Sequence, residues 1–178
     1  MGTPTVIAKL RRLALVAHVA SSVGWLGAVV AFLALAVLVA STDDPELMRP
    51  ALWAMYALII YALVPMALFA LIVAISQSLV SSWGLVRHWW VVIKLIVTVP
   101  AVVVLLQYTS TMGNIAAMAA DESSVATLRS LAMSPALHAS AALLVLLLAT
   151  VLSVYKPRGL TPYGWRKEEE RRLALQRR

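Results

Sequence analysis

Residues 13–40 read LALVAHVASSVGWLGAVVAFLALAVLVA, an apolar run with a single ionisable residue, His18. As a helix rising 1.5 Å per residue, this run is about 40 Å long. A membrane-spanning helix needs only about 20 apolar residues. The run follows Lys9, Arg11 and Arg12, as the apolar core of a secretory signal would. Such a core covers only about 7–15 residues, and Leu38-Val39-Ala40 is a poor cleavage match. The stretch reads as an uncleaved first transmembrane helix over about 10–40.

Three more apolar blocks follow, over about 51–79, 89–111 and 135–155. Together they predict an all-α fold, a four-helix transmembrane bundle. The segment Ser41-Thr42-Asp43-Asp44-Pro45-Glu46 reads as the first loop, with Pro50 near the first turn of the second helix. Pro65 and Pro100 are expected kink points. Ser81-Ser82-Trp83-Gly84 is a short connection that makes the second and third helices antiparallel neighbours. The stretch 114–120 is placed to prolong the third helix beyond the membrane. Residues 1–156 form the transmembrane domain, and 157–178 form a basic tail. In that tail Thr161-Pro162 reads as an N-cap and first helical position, and Glu168 is spaced to pair with Arg171 and Arg172. The tail is expected to rest on the anionic inner leaflet, or to bind a partner.

Composition agrees. Of 178 residues, 62% are hydrophobic and 13% charged, with mean hydropathy +0.88. Soluble domains are about 45–50% apolar and about 25% charged. The formal net charge of +7 does not argue for nucleic acid, because the basic residues sit at helix ends and in the tail. There are no cysteines, which excludes disulfides, thiolate metal sites and a cysteine nucleophile.

Charge bias sets the expected orientation. Lys9, Arg11 and Arg12 precede the first helix, Arg87 lies between the second and third, and the tail holds eight more Lys and Arg. The other two loops hold Asp43, Asp44, Glu46, Asp121 and Glu122 against Arg49 and Arg129. Lys and Arg mark the cytoplasmic side. The expected topology is up-down-up-down with both termini in the cytoplasm. Trp83, Trp89 and Trp90 are placed for an inner aromatic belt, and Tyr163 and Trp165 for the headgroup region.

An ionisable residue within a membrane is costly and points to function. Here these are His18, Lys94 and His138, with His88 at the entrance to the third helix. His18 lies about 9 Å beyond Arg12, and Lys94 lies at a similar depth past Arg87 and His88. His138 falls near the opposite face. An inner-leaflet site is therefore expected on His18 and Lys94. Ser22 and Trp25 share the His18 face of the first helix. Beside them run Ala20, Gly24 and Ala28, spacing that admits a helix or a flat ligand.

His18 either bonds across helices or ligates a metal. A neutral imidazole can hold haem iron or copper, or relay protons. Haem b or a porphyrin suits an apolar bundle, with Lys94, Arg87 or Arg12 near its propionates. Copper is the weaker expectation, since Met66, Met112, Met118 and Met133 form no tight cluster. The remaining alternative is a protein without a cofactor, acting by helix packing as a homo-oligomer or complex subunit. Lys94 is alternatively a side chain that snorkels to the inner surface. No paired intramembrane carboxylates, Ser/His/Asp set or glycine-rich nucleotide motif is present, so hydrolytic and nucleotide-driven chemistry is not expected.

The first helix reads His18-Val-Ala-Ser-Ser-Val-Gly24-Trp25-Leu-Gly27, and the third opens Trp89-Trp90-Val-Val-Ile-Lys94-Leu95. These segments resemble bacterial four-helix membrane proteins around the CopD copper-resistance domain and the HemJ-type protoporphyrinogen oxidase. The resemblance implies that His18 and Lys94 are paired functional positions, with Trp25 and Gly27 beside them, serving a haem or porphyrin site and a redox step. No His follows Lys94 until His138, which implies a divergent branch of that group.

Overall fold

In the computed structural model, residues 3–81, 84–121, 124–157 and 159–176 are described. Trp83, expected in the aromatic belt, lies outside them, as do Ser82, Glu122, Arg158, Arg177 and Arg178. The helices are α1 (Thr3–Ser41), α2 (Pro45–Leu58), a π-helical turn (Ile59–Leu63), α3 (Val64–Val80), α4 (Trp89–Asp121), α5 (Val125–Leu131), α6 (Met133–Tyr155) and α7 (Pro162–Gln176). Among the described residues, four stretches are long and apolar enough to cross a membrane: Ala8–Ser41, Pro45–Val80, Trp89–Asp121 and Val125–Tyr155.

The first span packs by a regular stripe. Ser21, Trp25, Val29, Phe32, Ala36 and Val39 are buried, at steps of three and four that keep them on one face. Small buried residues recur in the core, among them Ala36, Ala51, Ala67, Ala70, Ala119 and Ala139. They let helix backbones approach closely. The outward faces are the reverse of a soluble bundle. In the third and fourth spans only 11% of the apolar window is buried, and Ile72, Ile96, Leu144 and Val154 are all more than half exposed. Apolar surface this extensive belongs in lipid or under a partner, not in water.

The second span starts earlier than the expected position near 51. Asp44 takes an extended conformation, its Oδ1 accepts from the Glu46 amide at 2.9 Å, and Pro45 occupies the first turn. Asp-Pro-Glu is a strong helix start, so Pro45 and Glu46 are helical rather than loop. Pro50 lies inside α2. Helix α1 likewise begins at Thr3, not near 10, while α4 runs on to Asp121, through the stretch expected to prolong it.

Pro65 is met by the π turn. The Val64 amide bonds back to the Ile59 carbonyl, five residues earlier. Proline has no amide hydrogen for the carbonyl four residues before it, and a π turn absorbs one extra residue at such a place. The buried stripe runs on through the turn, over Met48, Leu52, Met55, Ile59, Leu63, Ala67 and Ala70. At Pro100, by contrast, α4 continues through.

Candidate functional site

Two polar clusters lie within the apolar spans, one at each end of the bundle. At the basic end, Gln77 Nε2 donates to the Ala14 carbonyl, tying the end of α3 to the N-terminal half of α1. His18 sits one turn further along α1. Its ring interacts with the Ala70 backbone and lies within electrostatic reach of Lys94. Its Nδ1 is closed off from solvent and has no hydrogen-bond partner among the described residues. A buried polar atom without a partner costs about 1–3 kcal/mol, so it calls for an explanation.

His18 and Lys94 are thus within electrostatic reach of each other, and no hydrogen bond joins them. Lys94 Nζ donates to Ser153 Oγ of α6 at 2.6 Å and lies 5.7 Å from the Trp90 ring centre. Ser153 in turn donates to the Ala149 carbonyl at 2.7 Å. The Lys94 side chain therefore runs toward the end of α6, in the manner of a snorkelling lysine.

The other expected residues separate by role. Trp25 is 5% exposed and belongs to the core. Ser22 is half-buried. Its neighbour Ser21 is the one turned inward, donating to the His18 carbonyl at 3.0 Å. The small-residue groove is not open: a Cβ on Gly24 would meet Met66 Sδ at 3.2 Å, whereas one on Gly27 meets nothing. Met66 therefore fills the place where a flat ligand would slide along Gly24. His88 lies where α4 begins, its carbonyl accepting from the Val91 and Val92 amides at 3.1 and 3.2 Å.

At the acidic end, His138 stacks on Tyr108, ring centres 4.2 Å apart at 23°. His138 Nδ1 is 2.8 Å from the Ser134 carbonyl. A carbonyl only accepts, so Nδ1 carries the hydrogen of this contact. Tyr108 and Ser134 hydroxyls meet at 3.1 Å. Arg129 closes this end, donating to the Thr42 carbonyl at 2.9 Å and to Asp43 at 2.6 Å. Tyr108 and Gln77 were not anticipated. The polar triplet Ser76-Gln77-Ser78 in an apolar span was a signal for the second. Nothing in the sequence marked Tyr108.

The tail is docked. Thr161 Oγ1 donates to the Val86 carbonyl at 2.6 Å and accepts from the Gly164 amide at 3.1 Å, so it caps α7 and anchors it in one group. The Thr161 amide reaches the Arg87 carbonyl at 3.0 Å, and the Trp89 amide reaches the Gly159 carbonyl at 3.2 Å. Glu168 bonds Arg87 at 2.7 Å, instead of the expected Arg171 and Arg172. Among the described residues, no three of His, Asp and Glu converge as a metal-binding group.

No protein-family model, curated protein or solved structure matches this chain.

Proposed function

We propose that the chain is a multi-pass protein of the bacterial inner membrane whose spans alternate up-down-up-down, with both termini and α7 in the cytoplasm. The basic flanks at Lys9, Arg11, Arg12, Arg87 and Lys156 support this orientation. Within it, the inner half holds a haem b or porphyrin on His18, in a redox or haem-related role. The observation that carries this reading is the enclosed, unpartnered Nδ1 of His18. A nitrogen lone pair held in apolar surroundings suits an axial iron ligand.

The fit is good for the ligand and demanding for the ring. His18 supplies its enclosed Nδ1, on a ring that also interacts with the Ala70 backbone. Trp25 packs in the core a turn or two further along α1. Entry of a porphyrin requires Met66 to swing away from Gly24. Lys94 acts on this site from a distance, its hydrogen bond being committed to Ser153. When bound, the haem would supply one-electron chemistry, and the chain would bind it and exclude water.

The test is absorbance of the protein purified from haem-replete cells. A Soret band that is lost in His18→Ala supports the reading. Protein that remains colourless after haem is added refutes it. The reading as a packing subunit draws support from the thinly buried third and fourth spans. An oligomer or partner that survives mild-detergent purification with no Soret band would favour it. Copper retained by the wild type and lost in His18→Ala would favour a copper site.

A further inference from the structure

We infer that a second copy of this chain docks along the outward face of α4, the Gln107 carboxamides of the two copies bonding each other across a two-fold axis. The inference rests on the membrane-spanning reading and is independent of whether His18 holds a haem.

The first observation is a polar side chain on the lipid side of its helix. Gln107 is exposed. Among the described residues its carboxamide has no hydrogen-bond partner, and only its main-chain carbonyl is engaged, accepting from Ser110 Oγ at 3.1 Å. The next residue is the contrast: Tyr108 turns into the bundle, and its hydroxyl meets that of Ser134 at 3.1 Å. Counted from Trp89 at 1.5 Å per residue, Gln107 lies about 27 Å along the span, within a hydrocarbon core about 30 Å thick. A carboxamide that faces hydrocarbon without a partner is costly.

The second observation is the pattern around it. Ile96, Pro100, Val103, Gln107, Ser110 and Asn114 succeed one another at alternating steps of four and three, and all are exposed. A repeat of 3.5 residues is the seam of a left-handed helix pair, in which a polar residue sets the register. Tyr108, Met112, Ile115 and Ala119 are buried on the other side of α4, so the seam is what remains after the bundle has packed. Only 11% of the apolar window of this span is buried.

The occupant follows from symmetry. Two copies inserted in the same orientation are related by an axis along the membrane normal, so identical residues meet at identical depth. A carboxamide both donates and accepts. A second copy therefore presents the group that Gln107 lacks, at the depth where it is needed, and bonds of this kind hold transmembrane helices together.

The chain has no cysteine, so single cysteines report the contact. Full-length protein in phosphatidylcholine liposomes is oxidised after Val103→Cys or after Leu144→Cys, the latter 69% exposed on α6. Val103→Cys should give a disulfide-linked dimer and Leu144→Cys should not. Energy transfer between copies labelled at the N-terminus, followed as lipid dilutes protein, gives the dissociation constant. Gln107→Leu should raise it about tenfold, the order of a reciprocal pair of interhelical hydrogen bonds, and Gln107→Asn should stay closer to the wild type. The cysteine pair tests the same face should Gln107→Leu not fold. A chain that stays monomeric, equal crosslinking at the two positions, or unchanged affinity in Gln107→Leu overturns the inference. His18→Ala should leave the dimer intact, which separates this result from the Soret test. Release of the chain by alkaline carbonate would overturn the membrane-spanning reading and this contact with it.

Discussion

Gly164→Ala is expected to detach the tail while leaving the membrane bundle intact. A Cβ at this position would be driven into the Arg87 carbonyl oxygen, well inside van der Waals contact, and would stand 3.1 Å from Leu160 Cδ2. The obstacle is backbone, held in place by the Thr161 amide at 3.0 Å, so it cannot swing aside as a side chain would. The overlap is relieved only if α7 moves by an ångström or more, and hydrogen bonds do not survive that stretch. The bonds at stake are Thr161 Oγ1 to Val86, the Thr161 amide to Arg87 and the Trp89 amide to Gly159. Each is worth about 1 kcal/mol net. The Arg87–Glu168 pair, its side chains 24% and 30% exposed, adds less than about 1 kcal/mol after solvent screening. Docking is therefore worth on the order of 3 kcal/mol, or about a hundredfold in the docked population. Hydrogen–deuterium exchange of the full chain in nanodiscs should show protection over 159–176 falling by about that factor, with α1 unchanged. Exchange in the tail that matches the wild type would refute the reasoning, because it would mean that Gly164 does not press on Arg87.

Gly24→Ala is the contrasting case: its Cβ meets the flexible end of Met66 at 3.2 Å, so thermal unfolding should shift by less than about 1 kcal/mol. Asp44→Ala removes the cap on the Glu46 amide and should cost about 1 kcal/mol, read as faster exchange over the first turn of α2. Arg129→Ala frees the Thr42 carbonyl and Asp43 together. It should raise exchange in the loop at 42–44, with a cost of about 1–2 kcal/mol. Deleting Tyr61, 81% exposed in the π turn, removes the extra residue that the turn absorbs but returns Pro65 to an α-helical clash of about 3 kcal/mol. The deletion should therefore lower the melting temperature by itself and be rescued by Pro65→Ala.

Hydropathy made the four spans legible because a bilayer imposes one strong, local demand on every residue in turn. Helix ends were less legible. Asp44-Pro45-Glu46 is composed of turn formers and is also a good helix start, and only the chain's actual direction there decides between the two. The π turn had no separate signal beyond Pro65, because it is a local change of backbone hydrogen bonding that leaves the apolar pattern of the span unaltered. For the site, depth was readable and rotation was not. Counting from Arg12 and Arg87 puts His18 and Lys94 at one level, but whether Lys94 faces His18 or Ser153 depends on how α4 is turned against α6. Glu168 shows the same limit in the tail: Arg171 and Arg172 were the partners available at helical spacing, and Arg87 is 81 residues away in sequence.

The docking of α7 also bears on the basic-end cluster, because both act through the first turns of α4. The Trp89 amide is held by Gly159, and the His88 carbonyl closes the first turn onto Val91 and Val92. Lys94 lies little more than one turn beyond. Releasing the tail removes the bond that fixes where α4 begins, so Gly164→Ala should loosen the helix at Ile93 and Lys94. It should not reach the Tyr108–His138 stack at the other end, which is held by Ser134 within its own cluster. The chain has no cysteine, so single spin labels can be placed without background. A label at Ile93→Cys should gain mobility in the Gly164→Ala background, and one at Leu137→Cys, 70% exposed at the far end, should not. Equal gains at both positions would mean general loosening of the bundle. No gain at Ile93→Cys despite a released tail would mean that α4 holds its first turns by packing alone.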